Sequence, residues 1–147
     1  MISSKGIGRL HIVESTMRQD QYIKVLETKL LLQIGEWFPN GEEYIFMHDS
    51  APCHTAKTAT AYLTNKKIQV LPWPGDSPDM NPIENLWELL KRCIASETVT
   101  NKQQLIDKII FVWHHDQEML ENCRKNMESM PKRIQAIIDT QGGETKY

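Results

Sequence analysis

Residues 77–87, with the sequence SPDMNPIENLW, determine where one helix of the fold begins. Asn81 has a side chain that commonly accepts a hydrogen bond from the first turn of a helix, and a proline such as Pro82 is favoured at the first helical position. The apolar residues that follow recur at helical intervals and predict one buried stripe, formed by Ile83, Leu86, Trp87, Leu90 and Ile94. The segment therefore predicts an amphipathic helix that begins at residue 82 and carries Glu84 in its first turn.

Three short apolar segments upstream of this helix predict β-strands. Residues 9–13 are partly β-branched and follow two glycines, whereas residues 44–47 are continuously apolar, as expected of a buried strand. Residues 68–71 form the third segment. Helical patterns separate the three segments, and this alternation predicts an α/β layer with at least one parallel strand pairing.

The helices are predicted from apolar spacing and from end signals. Thr16 and Gln19 have the spacing of a capping box. The apolar positions of the long helix after them are Tyr22, Leu26, Leu30, Ile34 and Trp37, and those of the next helix are Ala56, Ala59, Tyr62 and Leu63. Beyond residue 101 the pattern is helical throughout, with apolar faces at Leu105, Ile109 and Val112 and then at Leu120, Cys123 and Met127. Pro131 should break or kink the last helix and Gly142–Gly143 should end it.

Length and charge limit the kind of protein this sequence encodes. A chain of 147 residues is sized for one domain, and 17 Lys and Arg against 19 Asp and Glu give a net charge of −2, which is not that of a dedicated nucleic-acid clamp. Affinity for a DNA duplex would have to come from local basic pairs, whose alternative and commoner role is that of a solvated helix face. Examples are Lys66–Lys67, Lys91–Arg92, Arg124–Lys125 and Lys132–Arg133. Three unpaired cysteines, the absence of a leader pattern and the short apolar runs predict a soluble intracellular protein without a membrane span.

Asp49 and Glu84 are the candidate functional acids, with 34 residues between them. Asp49 directly follows a predicted buried strand, and ligands of open α/β sheets collect beyond the carboxyl ends of strands. Its alternative role is to start the turn into the next helix. Glu84 occupies the third helical position, where the alternative role of its side chain is to bond the cap amide of Asn81.

Two other residue groups admit a functional and a structural interpretation. His48, Cys53 and His54 are close in the sequence, but their spacing matches no paired zinc-ligand pattern. The two histidines instead flank Asp49, where they could contact DNA phosphate or cap a helix. Trp87 is predicted to be core, and Trp73 either stacks on a base or packs under its loop.

Four segments together resemble the Tc1/mariner transposases, and the similarity runs nearly from end to end. HDSAPCHTA at 48–56 is similar to the motif of the second catalytic aspartate of that family, and WPGDSPDMNPIENLWELLKR at 73–92 is similar to the motif of the last acid. The spacing of the two acids is that of the family's DD34E triad. Residues 6–14 and 129–147 also resemble the corresponding family segments.

The resemblance implies an RNase H-like α/β catalytic domain with a helical C-terminal half. Such a domain cuts DNA at transposon ends and joins it to target DNA in the nucleus, with Mg²⁺ or Mn²⁺ held by three acids. A second copy of the chain is a candidate partner beside DNA, and the sequence leaves the oligomeric state open. Asp49 corresponds to the second acid and Glu84 to the third, so both are expected to be catalytic metal ligands. Carboxylate oxygens are the ligands that these hard cations prefer.

The first acid of the triad has no counterpart in this sequence. The family pattern places it on a first central strand, upstream of Met1, and places a DNA-reading helix-turn-helix region further upstream still. Glu14 and Asp20 are not expected to substitute, so residues 1–147 are predicted to be one partial domain that lacks this strand and has no strand-transfer activity alone. The alternative is a non-catalytic nucleic-acid-binding or protein-binding remnant of a transposase.

Overall fold

The structure is a computed structural model, and it describes residues 1–73, 77–96 and 98–143. The two strands are β1 (Ile2–Ser3) and β2 (Gly6–Ile7). The helices are α1 (Gln19–Val25), α2 (Leu31–Trp37), α3 (Pro52–Thr55), α4 (Lys57–Asn65), α5 (Pro82–Ala95), α6 (Lys102–His115), α7 (Gln117–Glu128) and α8 (Met130–Asp139). Residues 1–10 form one compact unit with the described part of 77–147, and residues 11–76 form a second. Over the described ranges, no helix is both long enough and apolar enough to cross a membrane.

The first unit begins with a two-residue antiparallel hairpin. Ile2 pairs with Ile7 and Ser3 with Gly6, and the turn between them is allowed because Gly6 adopts a φ of +123°. The predicted strand at residues 9–13 is therefore wrong, since that segment has no strand partner among the described residues. The strand pairing in this region lies upstream, at residues 2–3 and 6–7, and the β-branched residues at 9–13 are not sufficient to form a strand without a partner.

Helices α5, α6 and α7 enclose the core of the first unit. Its buried residues are Leu86, Leu89, Leu90, Val112, Trp113, Met119 and Cys123. The predicted stripe on α5 is confirmed, because Leu86 and Leu90 are buried and Ile83, Trp87 and Ile94 pack partly buried against the same core. Trp87 and Trp113 stack with ring centroids 4.9 Å apart.

The face that α7 buries differs from the predicted one. Cys123 is buried as expected, but Leu120 is 40% exposed and Met119 is fully buried in its place. The cause is the helix start: Asp116 caps α7 by accepting a 2.9 Å hydrogen bond from the Met119 amide. Met119 then lies one helical repeat before Cys123, on the same face.

Both ends predicted for the last helix are confirmed. Pro131 lies in the first turn of α8, so it separates this helix from α7. The chain leaves α8 at Thr140, and Gly142 follows with a φ of +86°, a conformation that glycine adopts without strain.

The second unit is built on one long helix that contains a π-helical turn. α1 and α2 are continuous through Leu26–Leu30, which forms that turn. The predicted buried positions Tyr22, Leu26 and Leu30 are confirmed.

The predicted cap of this long helix is wrong. Arg18 rather than Thr16 precedes the helix, and its amide donates a 2.8 Å hydrogen bond to the Gln21 side chain. The helix therefore starts at Gln19, two residues later than a Thr16 cap would start it.

The two predicted buried strands reduce to one pair of residues. Phe46 and Val70 form a parallel bridge, in which the Phe46 amide donates to Gln69 and the Leu71 amide donates to Phe46, each at 2.8 Å. The parallel direction is as predicted. The strands are shorter than predicted because neither 44–47 nor 68–71 pairs with any other strand in the part of the chain that the structure describes. The fold is thus mostly helical.

Candidate active-site acids

Asp49 lies at the entrance to α3, three residues after the bridge residue Phe46. Its Oδ1 atom accepts a 3.0 Å hydrogen bond from the amide of Ala51, the residue that precedes α3. The turn role that the sequence offered for Asp49 is therefore present. The hydrogen bond from Ala51 involves only Oδ1, so Oδ2 is not needed for the turn.

His54 makes a second contact with the same carboxylate oxygen. Its Nδ1 atom lies 2.6 Å from Asp49 Oδ1, and the Asp49 side chain is 58% exposed whereas that of His54 is 22% exposed. An ionised carboxylate has no proton to donate, so the proton of this hydrogen bond is on Nδ1. Among the described residues, no hydrogen bond reaches Asp49 Oδ2.

The surroundings of Asp49 favour its charged form. Partial burial raises the pKa of its carboxyl, but the hydrogen bonds from the Ala51 amide and His54 lower it, as do the charges of His54 and His48. The net result is a pKa below the usual range of an aspartate. Asp49 is thus ionised at neutral pH, which is the state that binds a cation.

Aromatic side chains surround His54 on the inner side. The ring of the buried Tyr22 packs on the His54 ring with centroids 4.1 Å apart, and the His48 ring meets it edge-on at 5.4 Å. Burial raises the pKa of Tyr22 well above its usual value, and its hydroxyl has no hydrogen-bond partner in the described structure. Tyr22 therefore stays neutral and packs against the inner face of the His54 imidazole.

The histidines and Cys53 do not form a zinc site. In the ranges that the structure describes, no group of three or more His, Cys, Asp or Glu side chains is placed to hold a metal ion. His54 directs its Nδ1 atom at Asp49 instead.

Glu84 lies in the first turn of α5, as predicted, but it does not close a capping box. Asn81 caps the helix through its side chain, which accepts from the Ile83 amide at 3.4 Å. The Asn81 amide donates to the carbonyl oxygen of Pro78 at 3.0 Å, so that amide is already satisfied. The partly buried Glu84 carboxylate makes no hydrogen bond or ion pair with the described residues, which leaves it available for a ligand.

A buried arginine supports the residue beside Glu84. Arg133 on α8 is only 3% exposed, and its Nη2 atom donates to Asn85 Oδ1 at 2.7 Å. It also donates to the Ser129 hydroxyl through Nε at 2.8 Å and to Asn126 Oδ1 at 3.4 Å. The interpretation of Lys132–Arg133 as a solvated helix face or a DNA contact is therefore wrong for Arg133, whose guanidinium faces inward.

The donor chemistry of the two acids suits a hard divalent cation. Asp49 offers an ionised carboxylate with one unengaged oxygen, and Glu84 offers a carboxylate without a protein partner among the described residues. Mg²⁺ and Mn²⁺ are bound by such oxygen ligands, with water completing the coordination. Asp49 belongs to the unit of residues 11–76 and Glu84 to the other unit.

The chain is similar to known endonucleases and transposases. The family described as DDE superfamily endonuclease matches residues 1–106. The transposable element Tc1 transposase of Caenorhabditis elegans is 32% identical over 99% of this chain and 52% of its own length. The chain thus spans about half the length of the curated relatives that it matches.

Two solved structures show the fold. The Mos1 transposase catalytic domain with raltegravir and Mg has a TM-score of 0.83 at 20% identity, over 97% of this chain and 73% of that one. The Mos1 mariner paired end complex with Mn has a TM-score of 0.87 at 19% identity, over 99% of this chain and 43% of that one. The RNase H-like fold expected from the sequence is confirmed by these matches.

Proposed function

The chain belongs to the DDE superfamily endonucleases, and from that membership we propose that it serves DNA cleavage and strand transfer in transposition, with Asp49 and Glu84 as metal-binding catalytic acids. The cation is Mg²⁺ or Mn²⁺. Asp49 and Glu84 would hold such ions, and the ions would supply the positive charge that an in-line displacement at a phosphate needs. The DNA substrates are transposon ends and target DNA, the working form is a homo-oligomer, and the site of action is the nucleus.

The observation that carries the proposal is the state of the Asp49 carboxylate. One of its oxygens is held by the Ala51 amide and by His54, and it is ionised at neutral pH. A carboxylate held at one oxygen loses less conformational freedom when the other oxygen binds a cation. This arrangement supports a ligand role, because a turn-forming aspartate needs only the Ala51 contact.

The position of Glu84 supports the same proposal. The alternative role of Glu84 was to accept a hydrogen bond from the Asn81 amide, but that amide donates to the carbonyl oxygen of Pro78 instead. α5 is also a firm base for a ligand: Leu86, Leu89 and Leu90 anchor it in the core, two to six residues beyond Glu84. Ligands on rigid elements keep their geometry better than ligands on loops.

DNA as the partner is supported by the proteins that this chain resembles. Tc1 is a transposase, and one solved match is a paired end complex of Mos1. The overall charge of −2 gives no general attraction to phosphate, so contacts with DNA depend on local exposed cations such as Lys66 and Lys91. Arg92 contributes less, because it pairs with Glu118 at 3.1 Å.

Binding of Mn²⁺ tests the assignment of the two acids. We expect Asp49→Asn and Glu84→Gln each to lower the Mn²⁺ affinity of the 147-residue chain by at least about tenfold in an electron paramagnetic resonance titration, because each removes one charged ligand. Glu14→Gln is the matched control, since Glu14 is exposed. Wild-type affinity in both acid variants would overturn the assignment.

A DNA assay tests the rest of the proposal. Because the sequence offers counterparts for two acids of a three-acid family site, we expect this chain alone to bind metal but to give no strand transfer. Mg²⁺-dependent nicking of a duplex that is lost in Asp49→Asn would contradict that expectation while supporting the catalytic role of Asp49. Binding of DNA that depends on neither metal nor acid would favour the alternative, a non-catalytic nucleic-acid-binding remnant.

A further inference from the structure

The contact between His54 and Asp49 is too specific for a turn that the Ala51 amide already closes. The Ala51 amide and the His54 imidazole converge on the same atom, Oδ1, at 3.0 and 2.6 Å. The second donor adds nothing to the backbone path of the turn. The second donor restricts rotation of the carboxylate group, because two hydrogen bonds from different positions fix its orientation better than one does.

The imidazole is itself held in place. Tyr22 is 6% exposed on α1 and its ring lies 4.1 Å from that of His54, centroid to centroid. The His48 ring meets the His54 ring edge-on at 5.4 Å and lies 6.2 Å from the Tyr22 ring and 5.5 Å from that of Phe46, the bridge residue. The rings of Tyr22, His48 and His54 therefore form one cluster, and its contacts limit the rotation of the His54 ring.

His54 is less exposed than Asp49, as expected if the histidine holds the carboxylate from the inner side. His54 is 22% exposed and Asp49 is 58% exposed, so the histidine forms the inner layer and the carboxylate the outer one. Oδ1 faces the two donors, and Oδ2 has no hydrogen bond from the described residues. A residue that served only the packing of α3 would not need to point its polar atom at the exposed layer.

We propose that His54 is a positioning residue for Asp49: its Nδ1–H holds Oδ1, and Tyr22 holds its ring, so that Oδ2 is presented to a divalent cation. This inference rests on the proposed function, in which Asp49 binds the metal. Hydrogen-bonded partners of metal-binding carboxylates change metal affinity by about 10–100-fold when they are removed. No step of the reaction passes through His54 itself.

Two substitutions separate the hydrogen bond from the ring. His54→Phe keeps a ring against Tyr22 but removes the N–H, whereas His54→Asn keeps an N–H donor near the position of Nδ1 but removes the ring. We expect His54→Phe to weaken Mn²⁺ binding of the 147-residue chain by about 10–100-fold and His54→Asn to weaken it by less than about fivefold. His11→Phe is the control, because His11 is an exposed histidine of the same unit.

The outcomes distinguish this inference from the proposed function. Loss of Mn²⁺ affinity in Asp49→Asn with wild-type affinity in His54→Phe would overturn the positioning role and leave the metal site standing. Wild-type affinity in Asp49→Asn would overturn the metal site itself. An equal loss in His54→Asn, which retains an N–H donor, would show that this donor does not preserve the Mn²⁺ affinity and would also overturn the positioning role.

A measurement on the unmutated chain applies even if the variants fold poorly. Nitrogen-15 spectra of labelled histidine side chains report which ring nitrogen carries the proton. We expect a proton on Nδ1 of His54 in the absence of metal and its retention when Mg²⁺ is added. A His54 ring protonated on Nε2 alone would overturn the proposal, since such a ring has no donor for Asp49.

Discussion

Arg133 on α8 donates a 2.7 Å hydrogen bond to the side chain of Asn85 on α5, across 48 positions of the chain. Asn85 follows Glu84 directly, so α8 is attached to the first turn of the helix that carries this acid. The match to the endonuclease family ends at residue 106. The arginine therefore links a helix outside the matched region to the most characteristic segment inside it.

Replacement of Arg133 should destabilise the first unit. Arg133→Met leaves the Asn85 and Ser129 oxygens without their donor, and we expect a loss of about 1–3 kcal/mol in the free energy of unfolding. Urea unfolding followed by circular dichroism measures the loss. Lys132→Met is the matched control because Lys132 is exposed, and its change should stay within about 0.5 kcal/mol. Equal effects of the two variants would show that the hydrogen bonds of Arg133 contribute nothing.

Two aromatic residues of α6 should differ sharply in their contribution to stability. Trp113 is fully buried and donates its indole N–H to the Gly8 carbonyl oxygen at 2.8 Å, whereas Phe111 is 58% exposed. We expect Trp113→Ala to cost about 3–5 kcal/mol of unfolding free energy, because it leaves a cavity and an unsatisfied carbonyl. Phe111→Ala should cost less than about 1 kcal/mol. A chemical denaturation curve for each variant decides this, and similar midpoints would contradict the assigned core.

The thiol of Cys123 should be protected from reagents in the folded chain. It is fully buried, and that burial raises the pKa of the thiol, so both access and thiolate formation are restricted. In a Cys53→Ser/Cys93→Ser variant, we expect an uncharged maleimide to label Cys123 only as urea unfolds the protein. Mass spectrometry at increasing urea concentration measures this. Labelling in buffer at the rate seen in high urea would show that the face of α7 that carries Cys123 is accessible to the reagent in the folded chain.

The charge of Asp49 should stabilise the fold in a pH-dependent manner. Its pKa is lower in the folded chain than the usual value, so its contribution is present above the unfolded value and is lost as the pH falls through the folded one. We expect Asp49→Asn to lower the unfolding free energy at pH 7 by a small amount, because the side chain is largely exposed, and the difference from wild type to disappear in acid. Urea titrations at pH 7, 5 and 3 test the trend, with Glu14→Gln as control. A difference that grows towards acid would reverse the sign and contradict the assigned contacts.

Local signals in the sequence were sufficient for the start of α5 and for the buried face of the long helix. Asn81 and Pro82 start α5 as predicted, and the spacing of Tyr22, Leu26 and Leu30 identified the buried face of the long helix. These features depend on residues within a few positions of each other, so one sequence contains all the information that they need.

Features that depend on distant partners were missed or misjudged. The segment 9–13 has the composition of a strand but finds no strand partner, and pairing rather than propensity decides a strand. Arg133 was assigned to a surface pair because nothing near it in the sequence indicates Asn85 as its acceptor. The contact between His54 and Asp49 could have been predicted, because the two residues are only five positions apart and a proline turn lies between them.

The hydrogen bond between Trp113 and Gly8 also bears on how the protein is made. Gly8 belongs to a unit whose remaining part begins at residue 77, so residues 11–76 are an insertion within it. As the ribosome releases the chain from its N-terminus, the inserted unit is complete before α5, α6 and α7 exist. The hairpin of the first unit must therefore wait for those helices, with its apolar Ile2 and Ile7 uncovered in the meantime. Although the hairpin precedes α5, α6 and α7 in the sequence, it can be buried only after those helices have been synthesised.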